Sequence, residues 1–347
     1  MPSPSAKPRF VHRRRALVLS LMAGLVAVQC GNPPSSNPTT PSHGLAAQAG
    51  QVCTLENARS SDRFSLAHGC ITYSDGSKLW AVDPNHAGNR ILLGPSNGLA
   101  PMAWSRDGSR LLLIGPGTTS NSDLYVMSAD GSQKRLTTDG LSGPASFSPD
   151  GTKVVFQRGF DGLFVVDVKG GTPELAVRSY VAWWVGSPAW SPDGRIAYAV
   201  YLEGGPQGHV SYEIWTAKPD GSGPRRLADL GECRAACAGG LAWSPDGSTL
   251  AFHSAQGTGN PSLAWAIYVV HSDGSGLRRI TDRYGDFQPA WSPDGSRIAF
   301  TQDTSDGNVF TIAPDGSDMR RVEGIADRPH GSIGVFPHYG LAWNPVG

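Results

Sequence analysis

Chemistry in this chain would have to come from a few places. Nine His are present, among them His253, His271, His330 and His338, but no pair has metal-ligand spacing on one element, so hydrogen-bonded loop positions are the expectation for them. Cys233-Arg234-Ala235-Ala236-Cys237 brings two sulfurs close together. A structural zinc needs a second pair of ligands, and the disulfide is the better reading. Gly94-Pro95-Ser96-Asn97-Gly98 has the spelling of a hydrolase nucleophile turn. That Ser requires a strand-turn-helix setting, whereas Pro95 falls in a linker. Asp303-Thr304-Ser305-Asp306-Gly307 opens like a calcium loop but lacks the later bidentate Glu, and hairpin-turn chemistry accounts for it. No catalytic residue, metal or cofactor is assigned.

The elements that would position such groups are set by an internal repeat. A Trp-Ser-Pro-Asp-Gly motif begins at Trp104, Phe147, Trp190, Trp243 and Trp291 and survives in part as Trp343-Asn344-Pro345. The intervals are 43, 43, 53, 48 and 52 residues, the period of propeller blades with four short strands each. Pro-Asp-Gly pre-sets a tight turn between the first two strands. A second turn at Asp130-Gly131, Asp220-Gly221, Asp273-Gly274 and Asp315-Gly316 leads to an outer strand. The Trp or Phe heading each motif is expected to pack between blades.

Residues 69–93 supply three strands without a motif strand before them, and residues 340–345 supply a motif strand without a blade after it. Together they make one blade, so the expected fold is all-β, a six-bladed β-propeller closed by the C-terminal strand. The other blades are placed near 101–138, 144–178, 187–229, 239–282 and 288–324. Such closure hides the sheet edges. The 44 Gly and 27 Pro of the 347 residues fit this turn-rich reading.

Residues 1–30 read as an export signal, with Arg13, Arg14 and Arg15 before an apolar run from Ala16 to Val28. The run ends Leu25-Val26-Ala27-Val28-Gln29-Cys30-Gly31, which resembles a bacterial lipobox and implies lipidation of Cys30. Residues 31–50, rich in Pro, Ser and Asn, form a tether, and residues 51–347 form the propeller. Removing the signal leaves 24 basic against 29 acidic residues, a formal charge of −5, which argues against nucleic acid as a partner. The remaining cysteines are expected to pair as Cys53 with Cys70 and Cys233 with Cys237, in a compartment that permits disulfides.

The repeated Trp-Ser-Pro-Asp-Gly, the strand and turn from Tyr125 to Gly131 and the Arg-Arg-Leu/Ile endings resemble the TolB-type six-bladed β-propeller repeat over about residues 69–347. Similar blades occur in periplasmic scaffold proteins of the Tol–Pal envelope system, in prolyl-oligopeptidase-like peptidases and in oligogalacturonate lyases. The resemblance implies an exported protein, periplasmic or at the cell surface. Function should lie where the repeat is broken. The long loops Tyr201 to Tyr212, Asp229 to Gly240, Ser254 to Trp265 and Glu323 to Tyr339 share one face of the later blades. Trp183, Trp184, Trp265, Tyr284, Asp286, Phe287, Phe336, His338 and Tyr339 are the candidate binding residues there, with packing between blades as the competing reading for each aromatic. The expectation is a monomeric, non-catalytic envelope protein that binds a protein or peptide. The alternatives are a metal-dependent carbohydrate lyase or hydrolase with its site at the central pore, and a small-ligand or sugar sensor. The pairs Arg225-Arg226, Arg278-Arg279 and Arg320-Arg321 read as a solvated rim.

Overall fold

Each blade begins with a short apolar strand that ends at the motif aromatic and reverses over a hydrogen-bonded turn. In the computed structural model, residues 64, 67–85, 90–117, 122–179, 183–203, 210–233, 238–255, 265–282, 285–302, 309–322 and 341–345 are described. All of them belong to one unit, Ala47–Gly347. At the second blade the Ser105 carbonyl accepts the Gly108 N–H at 2.9 Å, and Gly108 has φ +66°. The Asp107 carboxylate accepts the Ser105 hydroxyl at 2.6 Å and the Ser109 N–H at 3.1 Å. The same turn recurs at Ser148, Ser191, Ser244 and Ser292. Glycine is required at its fourth position because an L side chain resists that left-handed backbone.

Strands β1 (Ile71–Ser74), β2 (Lys78–Val82) and β3 (Arg90–Pro95) belong to blade 1. Blade 2 contains β4 (Ala100–Trp104), β5 (Arg110–Pro116), β6 (Ser122–Ser128) and β7 (Gln133–Arg135). Blade 3 contains β8 (Ser142–Phe147), β9 (Lys153–Arg158), β10 (Gly162–Asp167) and β11 (Glu174–Arg178). Blade 4 contains β12 (Trp183–Trp190), β13 (Ile196–Glu203), β14 (Val210–Ala217) and β15 (Arg225–Cys233). Blade 5 contains β16 (Ala238–Trp243), β17 (Thr249–Ser254), β18 (Ala266–His271) and β19 (Arg278–Arg279). Blade 6 contains β20 (Asp286–Trp291), β21 (Ile298–Gln302), β22 (Val309–Ile312) and β23 (Arg320–Val322). The last strand, β24 (Leu341–Trp343), returns to blade 1 and pairs antiparallel with β1, placing Trp343 opposite Ile71 and Leu341 opposite Tyr73.

The result is six four-stranded antiparallel sheets. Their inner strands touch in the order β24, β4, β8, β12, β16, β20 and back to β24, which closes the ring. The expected six-bladed propeller and its C-terminal closure are both present. Because every sheet is an antiparallel meander, the motif turns and the second turns lie at one end of each blade, and the loops between second and third strands lie at the other.

Six buried clusters fill the six junctions, each drawing on two neighbouring blades. Leu79 and Ala81 of blade 1, for example, pack with Leu111, Leu113 and Met127 of blade 2 around Trp104. Burying one such Leu contributes about 2 kcal/mol. No single sheet has a core of its own, so stability comes from stacking. The motif aromatics sit in these junctions as expected, and several are hydrogen-bonded across them. The Trp104 indole N–H donates to Thr72 Oγ1 at 3.1 Å and that of Trp291 to the Ala242 carbonyl at 3.0 Å. Trp343 donates to the Gly69 carbonyl at 2.8 Å, locking the ring closure.

The basic pairs do more than line a solvated rim. Arg278 Nη2 donates to the Pro314 carbonyl at 2.9 Å, and Arg225 Nη2 donates to that of Ser272, so each reaches the second turn of the following blade. Arg226 turns back within its own blade to Glu213 Oε1 at 2.7 Å.

Candidate functional site

The inner strands of the last three blades share a local distortion. Ser187, Gly240 and Gln288 have φ of +49°, +58° and +53°. Each lies three residues before its motif Trp, where the pairing register shifts: between Gly186 and Ala189, Gly239 and Ala242, and Phe287 and Ala290. Blades 2 and 3 shift register at the corresponding place, but no residue there among those described has positive φ. Left-handed backbone at Ser and Gln is costly and concentrates where a surface is shaped for a task.

At the centre of this region is His253, which belongs to strand β17 and not to a loop. It pairs opposite Gly239. The absence of a side chain on the two adjacent glycines lets the imidazole lie against the inner strand. A Cβ on Gly239 would stand 3.0 Å from His253 Nε2, and one on Gly240 would stand 2.6 Å from Nδ1. The Gln288 amide N–H of blade 6 donates to His253 Nδ1 at 3.2 Å. Nδ1 is therefore the acceptor, and the ring proton sits on Nε2. Desolvation lowers the His253 pKa to about 3, so the ring is neutral at physiological pH and serves as a weak base at most.

Two candidate aromatics frame this imidazole. Trp265 and Phe287 approach it edge-on, with centroids at 5.1 Å and 5.4 Å, and lie 5.3 Å from each other. His253, Trp265 and Phe287 each keep only part of their surface in contact with solvent. Trp265 is anchored through its carbonyl, which accepts the N–H groups of Gly285 at 2.9 Å and Asp286 at 3.0 Å. Asp286 is fully buried, and its Oδ1 accepts Gln302 Nε2 at 3.0 Å. The side-chain Oε1 of Gln288 is buried without a hydrogen bond. The cluster offers aromatic surface beside a neutral imidazole, which suits stacking against a partner's apolar or aromatic side chain.

Three of the sequence candidates, Trp265, Asp286 and Phe287, are thus brought together at the junction of blades 5 and 6. Trp183 and Trp184 begin β12 opposite Leu202 and Tyr201. Tyr284, Phe336, His338 and Tyr339 lie outside the described residues, as do Cys30, Cys53, Cys237 and the segment 303–308. Cys70 is fully buried at the entry to β1. Ser96 of the hydrolase-like spelling is fully buried just after β3, and its hydroxyl donates to the Gly76 carbonyl at 2.8 Å. Gln288 and Ser187 are the residues that sequence reasoning missed, while His253, expected in a loop, sits in strand β17. The Gly239-Gly240 pair, set opposite a His in the repeat register, was the available signal. Among the described residues no group of three His, Cys, Asp or Glu is placed to hold a metal ion.

A family model described as the TolB beta propeller domain matches residues 158–332. No curated protein matches the chain. Among solved structures, TolB from Acinetobacter baumannii superposes with a TM-score of 0.60 at 16% identity, over 80% of this chain and 67% of that one. The putative TolB from Agrobacterium tumefaciens gives 0.54 at 25% identity, over 73% of this chain and 87% of that one. The tricorn protease gives 0.55 at 18% identity, covering 76% of this chain but 27% of its own length. These are likenesses of fold, and they extend to a protease whose remaining length has no counterpart here.

Proposed function

Because the chain belongs to the TolB beta propeller domain family, we propose that it is an exported, non-catalytic binding protein of the cell envelope that holds a protein or peptide partner on the loop-bearing face of blades 5 and 6. Membership of that family supports a protein-binding role in general. The observation that carries the finer reading is the partly exposed cluster of His253, Trp265 and Phe287, underlain by the left-handed Gly240 and Gln288. Rigid aromatics over a shaped backbone are the usual anchor of a protein interface. Lipidation of Cys30 would tether the propeller to a membrane, and pairing of Cys53 with Cys70 and of Cys233 with Cys237 would suit an oxidising compartment. The buried setting of Cys70 supports its place in such a pair.

The test is a photo-crosslinking amino acid at Phe287 in intact cells, with the same group at the exposed Asp130 on the opposite face as control. A discrete adduct from Phe287, lost on Trp265→Ala and not seen from Asp130, is the expected result. Equal labelling from both positions, or none from Phe287, would refute this binding face.

A further inference from the structure

The repeat is also broken on the opposite face. The first residue of the outer strand is basic in blades 4 and 5, and in both it crosses the junction to the next blade. Arg225, opposite Thr216, donates to the Ser272 carbonyl. Arg278, opposite Val269, donates to the Pro314 carbonyl. Lys134 of blade 2, opposite Val126, also crosses to the next blade, where it donates to the Lys169 carbonyl at 2.5 Å, one residue further along the second turn. Arg320 of blade 6, opposite Thr311, pairs with Asp318 instead.

Blade 3 places Glu174 in this register position, opposite Val165. A carboxylate has no N–H to donate, so the clasp between blades 3 and 4 cannot form. The neighbouring turns still dock in the usual way two residues further along. A Cβ on Gly221 would stand 2.2 Å from the Ala176 carbonyl, just as one on Gly274 would stand 2.7 Å from that of Leu227. Beside the missing clasp lies an open groove of about 710 Å³, lined by Glu174, Trp190 and Pro219. Pro219 corresponds to Ser272 and Pro314, since each follows the residue whose carbonyl closes the second turn. Its carbonyl is therefore where the absent cation would have been directed.

The groove is charged against its own missing residue. Asp150, Asp193 and Asp220 line it with Glu174, against a single Lys153. Hydrogen bonds from Ser148 and Thr152 lower the Asp150 pKa, and hydrogen bonds from Ser222 lower that of Asp220, so both stay ionised. The half-buried Trp190 has its indole N–H committed to the Gly194 carbonyl at 3.2 Å, which fixes the ring and leaves its π-system as the contact it can offer.

We propose that this groove receives an arginine side chain from an extended segment of a partner protein, which occupies the clasp position that Glu174 vacates. The guanidinium donates to the Pro219 carbonyl as Arg225 and Arg278 do to theirs, takes Glu174 as counter-ion and lies against Trp190. This site is separate from the aromatic cluster and does not depend on it.

The test is calorimetric titration with acetyl-Gly-Arg-Gly-Arg-Gly-amide and its citrulline counterpart at low ionic strength. The arginine peptide should bind at least tenfold more tightly than the citrulline one. Glu174→Gln should weaken it several-fold. Glu174→Arg should abolish binding and raise the melting temperature, because it rebuilds the clasp, while leaving crosslinking at Phe287 unchanged. Absence of arginine-peptide binding, or undiminished binding by Glu174→Arg, would overturn the proposal. Spermine binding as tightly as the peptide would overturn it too, by making this a general cation site.

Discussion

The Gln288 amide of blade 6 donates its N–H to Nδ1 of His253 in blade 5, at 3.2 Å, across the junction where the aromatic cluster sits. One hydrogen bond thus sets the imidazole tautomer and ties a left-handed backbone in one blade to a side chain in the next.

A pH dependence follows from that imidazole. Its pKa is lowered to about 3 by desolvation, and unfolding returns it to about 6.5. Between these values the unfolded chain binds the additional proton, so stability falls as pH drops through this window and is fully present above it. Relative to His253→Gln, the wild type should lose up to about 1.4 kcal/mol per pH unit below pH 6. Urea midpoints at pH 7, 5.5 and 4.5 measure the difference, and parallel profiles for the two proteins would contradict the desolvated ring.

Two glycines with nearly the same backbone should behave differently. Gly131 and Gly274 have φ of +83° and +92°. A Cβ on Gly131 meets nothing within 4 Å, whereas one on Gly274 would stand 2.7 Å from the Leu227 carbonyl of the preceding blade. Both Ala variants carry the backbone strain, about 1 kcal/mol, and Gly274→Ala should cost about 2 kcal/mol more in chemical denaturation. Equal losses would mean that the turn does not press on its neighbour.

The motif turns should act independently. Asp246 accepts the Ser244 hydroxyl at 2.5 Å and the Ser248 N–H at 3.0 Å, and Asp150 does the same with Ser148 and Thr152 in another blade. Each Asp→Ala change should cost about 1 kcal/mol. The double variant should equal the sum to within about 0.5 kcal/mol because the two sites share no partner. A marked excess would reveal coupling around the ring.

Removal of residues 341–347 takes away β24, exposes the edge of β1 and breaks the Trp343 to Gly69 bond. The truncated chain should melt well below the wild type and without a single sharp transition. An unchanged melting curve would reject the closure.

The ring was legible because its determinants are local and repeated. Pro, Asp and Gly at fixed offsets specify the turns, and an aromatic before each turn marks a junction, so period alone orders the blades. The site was only half legible. Trp265 and Phe287 stood out by type beside a long loop, but His253 looked like any other imidazole until its register opposite Gly239 was known. The left-handed Ser187 and Gln288 carry no compositional mark, since their backbone is imposed by the bulge and not by their own preference. Glu174 was visible all along as an acid among bases, yet its meaning required knowing what the bases reach.

The bond from Trp343 to Gly69 joins residues 274 positions apart. A ribosome or export channel delivers the first of these residues long before the last, so blade 1 must wait with a bare edge while five blades assemble after it. Completion of the ring is therefore a final, slow, non-local step of folding. Until it occurs the edge of β1 stays open to non-native pairing, the condition in which a chaperone can capture the chain.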